Sequence, residues 1–171
     1  YVASGSGLFR YHADQKFVEP LTKVEGLTDV DITALAYDPV TDWVVVGYRN
    51  GNLDLIRDER IVNVPELLRT ALYPGKKKIN HIHCGSPGTP RAGRALLSTD
   101  FGVVEMNLDN QLVLGTYLVG PNAQEVVVNG TTTRSDSVWV ATASGLTAAA
   151  QGDAWFNPAV WRRHAKWEGQ S

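Results

Sequence analysis

Short apolar runs of four to nine residues, rich in β-branched and aromatic side chains, alternate along the chain with polar turns. Residues 53–57 and 60–64 are two such runs, separated by Asp58 and Glu59. Runs of this length and composition are typical of β-strands. Residues 66–71 differ, because leucines at positions 67, 68 and 72 indicate a short helix. The pattern predicts an all-β chain with one short helix.

Four segments share one register, in which an apolar residue, a small residue, a polar turn and a Gly precede a second strand. They are residues 2–8, 46–52, 97–103 and 140–146, and their glycines are Gly7, Gly51, Gly102 and Gly145. Successive glycines are 44, 51 and 43 residues apart. Each segment predicts a β-hairpin whose Gly adopts a positive φ, a conformation without steric cost only for glycine.

A period of about 45 residues is the length of one blade of a β-propeller. The predicted innermost strands precede the hairpins at residues 32–37 and 79–84, and the fourth could lie in more than one register over residues 126–133. Residues 85–93, rich in Pro and Gly, predict a loop that lengthens the third repeat. The predicted fold is all-β, with about three and a half to four four-stranded antiparallel blades. Their approximate bounds are residues 1–25, 26–74, 75–121 and 122–161.

The first repeat lacks a predicted inner strand, and an arc of this size does not close into a ring. We expect a larger, seven-bladed propeller, completed by other blades of a parent chain or by a second copy. The chain opens inside a predicted strand at Tyr1, so any export signal is expected upstream. No apolar run approaches the roughly 18 residues that span a bilayer, so no transmembrane segment is predicted.

Charge is nearly balanced, with 16 Lys and Arg against 18 Asp and Glu. This balance gives no reason to expect a nucleic-acid partner. The basic cluster Lys76, Lys77 and Lys78 is the exception. It is interpreted either as a solvated loop or as a contact for a phosphate or another anionic group.

His81, His83 and Cys84 lie close together and could be metal ligands or a nucleophile with its base. Strand alternation places the two histidines on one face and Cys84 on the other, which favours a strand whose polar residues face the central channel. A single Cys excludes an internal disulfide. We therefore predict no catalytic residue, no metal site and no cofactor.

Two further groups of residues have structural interpretations. Five aspartates lack the spacing of a calcium loop and are interpreted as turn residues; they are Asp29, Asp31, Asp38, Asp42 and Asp54. Four aromatic residues near the end could bind a glycan or a partner; they are Trp155, Phe156, Trp161 and Trp167. For Trp155 and Phe156 we expect burial against the neighbouring blade.

Residues 26–56 and 138–146 resemble the propeller repeat of two-component regulators. More narrowly, residues 47–56 with 79–82 resemble the PorZ family of N-terminal propellers of the type IX (Por) secretion system of Bacteroidetes. This resemblance implies an exported protein of the bacterial cell surface and outer membrane. It also implies a sortase partner, association with anionic lipopolysaccharide and no catalysis in this segment. The alternatives are an extracytoplasmic sensor propeller, which would be periplasmic, and a propeller-based lyase.

Overall fold

The computed structural model describes residues 1–4 and 7–164, which form β-strands with one short α-helix and two 3₁₀ turns. The strands are β1 (Val2–Ser4), β2 (Gly7–His12), β3 (Phe17–Leu21), β4 (Ile32–Asp38), β5 (Trp43–Tyr48), β6 (Leu53–Arg57), β7 (Arg60–Val64), β8 (Ile79–Cys84), β9 (Arg94–Thr99), β10 (Val103–Asn107), β11 (Leu112–Tyr117), β12 (Val128–Arg134), β13 (Ser137–Thr142), β14 (Gly145–Ala150) and β15 (Arg162–His164). The helix α1 is Glu66–Arg69, and the 3₁₀ turns are Pro121–Ala123 and Pro158–Val160. The predicted short helix and the strandless loop over residues 85–93 are both confirmed.

The strands form antiparallel sheets in the order of the sequence, and each sheet is one blade. Blade 1 is β1-β2-β3, blade 2 is β4-β5-β6-β7, blade 3 is β8-β9-β10-β11 and blade 4 is β12-β13-β14-β15. Blade 1 has three strands, whereas the other blades have four. The prediction of an all-β propeller arc is therefore confirmed. The innermost strand of blade 4 is β12, which decides the register that the sequence left open.

Apolar side chains form the core between consecutive blades rather than within a blade. In β5, Val44 and Val46 belong to the cluster shared with blade 1, whereas Trp43 and Val45 belong to the cluster shared with blade 3. Every residue of β5 is consequently buried. Burial on both faces explains why such strands are continuous apolar runs without the alternation of a one-sided sheet. Full burial of each large aliphatic side chain stabilises the fold by about 1.5–3 kcal/mol.

The repeated glycines have different structural reasons. Gly51 and Gly145 have φ of +88° and +128°, as predicted. The prediction of a positive φ is wrong for Gly7 and Gly102, which are not among the residues with positive φ. At Gly102 the requirement is space, because a Cβ there would lie 2.4 Å from the carbonyl oxygen of Tyr117. The turn between β1 and β2, residues 5 and 6, lies outside the described residues.

Candidate functional site

Three connecting segments gather on one side of the propeller arc. Residues 22–31, 65–78 and 118–127 each join the outer strand of one blade to the inner strand of the next. The last residue of each segment accepts a backbone hydrogen bond from the hairpin turn of the following blade. The three bonds are Arg49 to Asp31 (3.1 Å), Asp100 to Lys78 (3.2 Å) and Ala143 to Val127 (2.9 Å). We call the surface formed by these segments and hairpin turns the linker face.

Buried polar contacts fix the first linker in place. The carboxylate of Asp54 accepts hydrogen bonds from the backbone N–H of Thr28 (2.8 Å), from its hydroxyl (2.7 Å) and from the hydroxyl of Tyr48 (2.6 Å). Burial and the bond to Asp54 raise the pKa of Tyr48. The interpretation of Asp54 as a turn residue is wrong, because it is fully buried and is the second residue of strand β6.

The other four aspartates do lie at turns. Asp38 ends β4, and its Oδ2 accepts bonds from the backbone N–H and the hydroxyl of Thr41. Asp31 and Asp42 have φ near +60°, a conformation that Asp tolerates better than most residues. Asp29 lies on the first linker and accepts a hydrogen bond from Asn50 of the hairpin turn. These side chains stabilise the loops on both sides of the arc.

Apolar side chains are exposed on the linker face. Val24 and Val30 on the first linker are 90% and 58% exposed, and Leu72 on the second linker is 79% exposed. Apolar side chains that project from loops on one side of a molecule are available for contact with a partner. The sequence did not single out these residues, because an isolated aliphatic residue in a loop carries no signal of its own.

The predicted lysine cluster lies on the second linker. The side chain of Lys77 donates to the carbonyl oxygens of Leu68 (2.8 Å) and Thr70 (2.5 Å), which caps the end of α1. Lys76 is exposed and Lys78 is half-buried. Stacking of Tyr73 on Phe101, with ring centroids 4.4 Å apart, holds this linker against the hairpin turn of blade 3. Lys77 therefore has a structural role, and anion binding by the cluster stays a prediction.

His81 and His83 lie on the innermost strand of blade 3 and contact blade 4. The backbone N–H groups of Thr131 and Thr133 donate to Nδ1 of His81 (3.4 Å) and Nε2 of His83 (3.3 Å). Both rings line a cavity of about 330 Å³ whose other wall includes Trp139. Burial lowers the pKa of both histidines, and that of His83 is lowered further by His81. The neutral rings therefore act as hydrogen-bond acceptors between the blades.

These contacts predict that the propeller loses stability in mild acid. A histidine whose pKa is lowered by folding contributes stability that is present above its unfolded pKa of about 6.5 and is lost as pH falls below that value. We expect the urea concentration at the midpoint of unfolding to be lower at pH 5 than at pH 7.5. The double variant His81→Gln, His83→Gln should show a smaller fall over the same range. An unchanged pH dependence in the double variant would contradict this assignment.

Cys84 does not complete a reactive site with these histidines. Burial, and then the nearby charge of Asp38, raise the pKa of its thiol to about 12. The thiol is therefore protonated at neutral pH, and the thiolate required of a nucleophile is not formed. Within residues 1–4 and 7–164, no group of three or more His, Cys, Asp and Glu side chains is arranged to hold a metal ion.

The aromatic residues near the end divide into buried and exposed ones. Trp155 and Trp161 are buried, and the Trp155 ring packs edge-on against Tyr117 of blade 3. The expected burial is thus confirmed for Trp155. It is wrong for Phe156, which is 70% exposed although its ring lies beside Tyr117. The prediction for Trp167 lies outside the described residues.

A buried ion pair that the sequence did not indicate lies beside Trp155. Arg91, from the loop of residues 85–93, pairs with Glu105 and stacks 3.6 Å over the Trp155 ring. Glu105 also accepts hydrogen bonds from Arg94 (3.0 Å) and the hydroxyl of Tyr117 (2.7 Å). Burial alone would raise the pKa of Glu105, but these bonds and the positive charges hold it below its usual value. The loop therefore clamps blade 3 to blade 4.

A cavity of about 520 Å³ opens between blades 1 and 2. It is lined in part by Arg10 and Arg57. Arg10 is paired with Glu19 at 2.6 Å, and Arg57 lies 4.3 Å over the ring of Trp43. Both guanidinium groups are thus engaged by the protein. Among the helices of the described residues, none has the length and apolar character needed to cross a membrane.

Comparison with known proteins identifies the architecture independently. The family model described as "TSS9, PorZ, N-terminal beta-propeller domain" matches residues 1–162. No curated protein matches the chain.

Solved structures of other proteins share the fold, including the following three. PorZ of Porphyromonas gingivalis, described as an essential bacterial surface component of the type IX secretion system, superposes with a TM-score of 0.77 at 20% identity over 95% of this chain. The extracellular domain of a hybrid two-component system from B. thetaiotaomicron has a TM-score of 0.61 at 15% identity over 86% of this chain. Kluyveromyces lactis Hsv2p has a TM-score of 0.51 at 13% identity over 81% of this chain and 42% of its own. This chain spans one fifth of the PorZ chain and one fifth of the two-component chain.

Proposed function

This chain belongs to the family of PorZ N-terminal β-propeller domains of the type IX secretion system, and we propose that it is a non-catalytic docking module. Its linker face binds a protein partner of that secretion machinery, and the sortase of the machinery is the partner we propose first. The module works outside the cytoplasm, at the bacterial cell surface, as part of a longer protein. The exposed apolar residues of the linker face are the observation that carries this proposal.

The linker face has the properties of a protein interface. Val24, Val30 and Leu72 supply apolar contact area, and the exposed Lys76 lies nearby in sequence to Leu72. Buried apolar contacts supply most of the affinity of an interface, whereas charges at its rim steer association. The buried carboxylate of Asp54 and the Tyr73–Phe101 stack hold the first two linkers against the blades. A rigid surface binds without the entropic cost of ordering loops.

Several observations support a role without catalysis. The thiol of Cys84 is protonated, and its pKa of about 12 leaves it unreactive at neutral pH. His81 and His83 accept backbone hydrogen bonds and hold two blades together. The two-component relative is 15% identical, so its likeness to this chain concerns the fold alone.

Anionic lipopolysaccharide is a second ligand that we propose for the same face. Lys76 and Lys78 would contact its phosphate groups, because the amine of Lys77 already binds the end of α1. An ammonium group binds phosphate as a point charge, so this contact should weaken with added salt. Lys76→Glu would then reduce binding of purified lipopolysaccharide more strongly than binding of the sortase, to which a rim charge contributes little.

Leu72→Asp tests the docking proposal. We expect the affinity of the longer protein for the purified sortase to fall at least tenfold, because a charge in an apolar contact is strongly unfavourable. Isothermal titration calorimetry provides the measurement. Leu112→Asp is the matched control, since Leu112 is 53% exposed but lies on the outer strand β11. Equal affinities for the wild type and Leu72→Asp would reject the linker face as the docking site.

A further inference from the structure

The three inner strands share one backbone irregularity. In β4, β8 and β12, pairing with the following strand skips the second residue, which bulges out of the ladder. The skipped residues are Thr33, Asn80 and Asn129, and all three have polar side chains. A β-bulge leaves its extra residue unpaired in the ladder and redirects its side chain. The same device in three successive blades indicates a common task.

In the two inner strands that have a blade after them, the bulged side chain bonds that blade. The hydroxyl of Thr33 donates to the carbonyl oxygen of Ile79 at 2.7 Å. The amide of Asn80 donates to the carbonyl oxygen of Val128 at 3.0 Å. Ile79 and Val128 hold the same place, because each is the fully buried first residue of its inner strand. Each bulge therefore joins its blade to the start of the next inner strand.

The side chain of Asn129 has the same kind of hydrogen-bond donor, but it has no acceptor among the described residues. Asn129 occupies the bulge of β12, and its exposed side chain forms no hydrogen bond with any described residue. Val138 and Val140 pack against blade 3, so strand alternation places Ala141, and Leu146 paired with it, on the opposite face of blade 4. With Gly130 they line the cavity of about 330 Å³ that His81 and His83 also line. A free amide beside a face of small and apolar residues resembles one side of the interfaces between blades 2 and 3 and between blades 3 and 4.

We propose that Asn129 docks a fifth blade of the same longer protein, by donating to the carbonyl oxygen of the first residue of that blade's inner strand. Continuity with the interfaces between blades 2 and 3 and between blades 3 and 4 carries this assignment. The occupant belongs to the same protein because this chain spans only one fifth of the PorZ chain to which it is similar. The inference goes beyond the proposed function, since it concerns ring assembly and not the linker face.

The donor chemistry makes the proposal specific. Thr and Asn both occur at the bulge because each can donate a hydrogen bond to a carbonyl. Aspartate has the shape of asparagine, but at neutral pH it only accepts hydrogen bonds. Asn129→Asp should therefore break the contact, and Asn129→Thr should restore it. A purely steric role for the side chain would tolerate Asp and would not distinguish it from Thr.

Hydrogen–deuterium exchange on the longer protein tests the proposal. We expect Asn129→Asp to accelerate amide exchange about fivefold, as for loss of one hydrogen bond, in a peptide outside residues 1–171. Asn129→Thr should exchange like the wild type. Asn110→Asp is the matched control, because Asn110 is an exposed asparagine in a turn. Thr33→Val serves as the positive control, with faster exchange expected near Ile79.

Two results would overturn the assignment. If Thr33→Val accelerates exchange but Asn129→Asp changes none outside residues 1–171, Asn129 docks no further blade. If Asn129→Asp instead accelerates exchange in blade 1, in a manner that depends on protein concentration, the occupant is a second copy of this chain. Sortase binding is measured separately, so failure of this proposal is distinguishable from failure of the docking function.

Discussion

Glu105→Ala is expected to lower the free energy of unfolding by about 3–5 kcal/mol, the usual cost of removing one member of a buried ion pair. Stability is lost because the partners of Glu105 stay buried after the substitution. Arg91 is 8% exposed and lies over the ring of Trp155, so its guanidinium would stay buried without a counter-ion. The hydroxyl of Tyr117 would also lose its acceptor. Urea unfolding followed by Trp fluorescence provides the measurement.

Two further variants separate charge from packing. In a Glu105→Gln background, Arg91→Met should recover part of the lost stability, because it removes the uncompensated charge and keeps a long side chain beside Trp155. Arg49→Gln is the exposed control. Arg49 and Asp31 are paired at 3.4 Å, but both side chains are more than half exposed, so its effect on stability should be small. If Glu105→Ala proved as mild as Arg49→Gln, the clamp between blades 3 and 4 would be unimportant.

The ion pair between Arg91 and Glu105 also predicts that the free energy of unfolding decreases in acid. Folding lowers the pKa of Glu105, so its contribution is present above the unfolded pKa of about 4.3 and is lost as pH falls further. This window lies below that of His81 and His83, whose contribution declines below pH 6.5. The two losses should therefore appear as separate steps in a plot of unfolding free energy against pH.

The repeating architecture was predictable because it is encoded locally. The hairpin signature recurs about every 45 residues, and the apolar runs of β5 and β9 are continuous because both faces of a blade are buried. The inner strand of blade 4 was ambiguous by contrast, since Val128 and Thr131 fit either register by composition. The shared bulge resolves it, because Ile32-Thr33, Ile79-Asn80 and Val128-Asn129 follow one pattern of an aliphatic residue and then a donor. The role of the donor is visible only in the structure, because its acceptor belongs to the next blade.

Contacts between distant segments were not predictable from the sequence. Arg91 belongs to a loop that Pro and Gly mark as irregular, and nothing local indicates that it pairs with Glu105. Aspartate is a common turn residue, yet Asp54 is buried in a strand. Its carboxylate accepts two hydrogen bonds from Thr28, which lies 26 positions earlier in the sequence. The linker face could not be predicted for the same reason, since Val24, Val30 and Leu72 lie on two linkers that are far apart in the sequence.

Gly102→Ala is expected to destabilise the propeller by about 3 kcal/mol, the upper end of the usual range for overpacking. The added Cβ would lie 2.4 Å from the carbonyl oxygen of Tyr117, and backbone atoms cannot move aside as a flexible side chain can. Tyr117 ends β11 and its hydroxyl bonds Glu105, so a shift of this strand would also disturb the buried ion pair. Thermal and urea unfolding provide the measurement.

Gly7 supplies the matched control because it holds the same place in the hairpin signature of the first repeat. A Cβ at Gly7 would have no neighbour within 4 Å, and its φ is not positive. Gly7→Ala should therefore be neutral, or slightly stabilising because alanine restricts the unfolded chain. Equal losses in the two variants would show that this glycine is required by the conformation of the hairpin. A loss confined to Gly102→Ala would show that the close approach of Tyr117 retains glycine in blade 3.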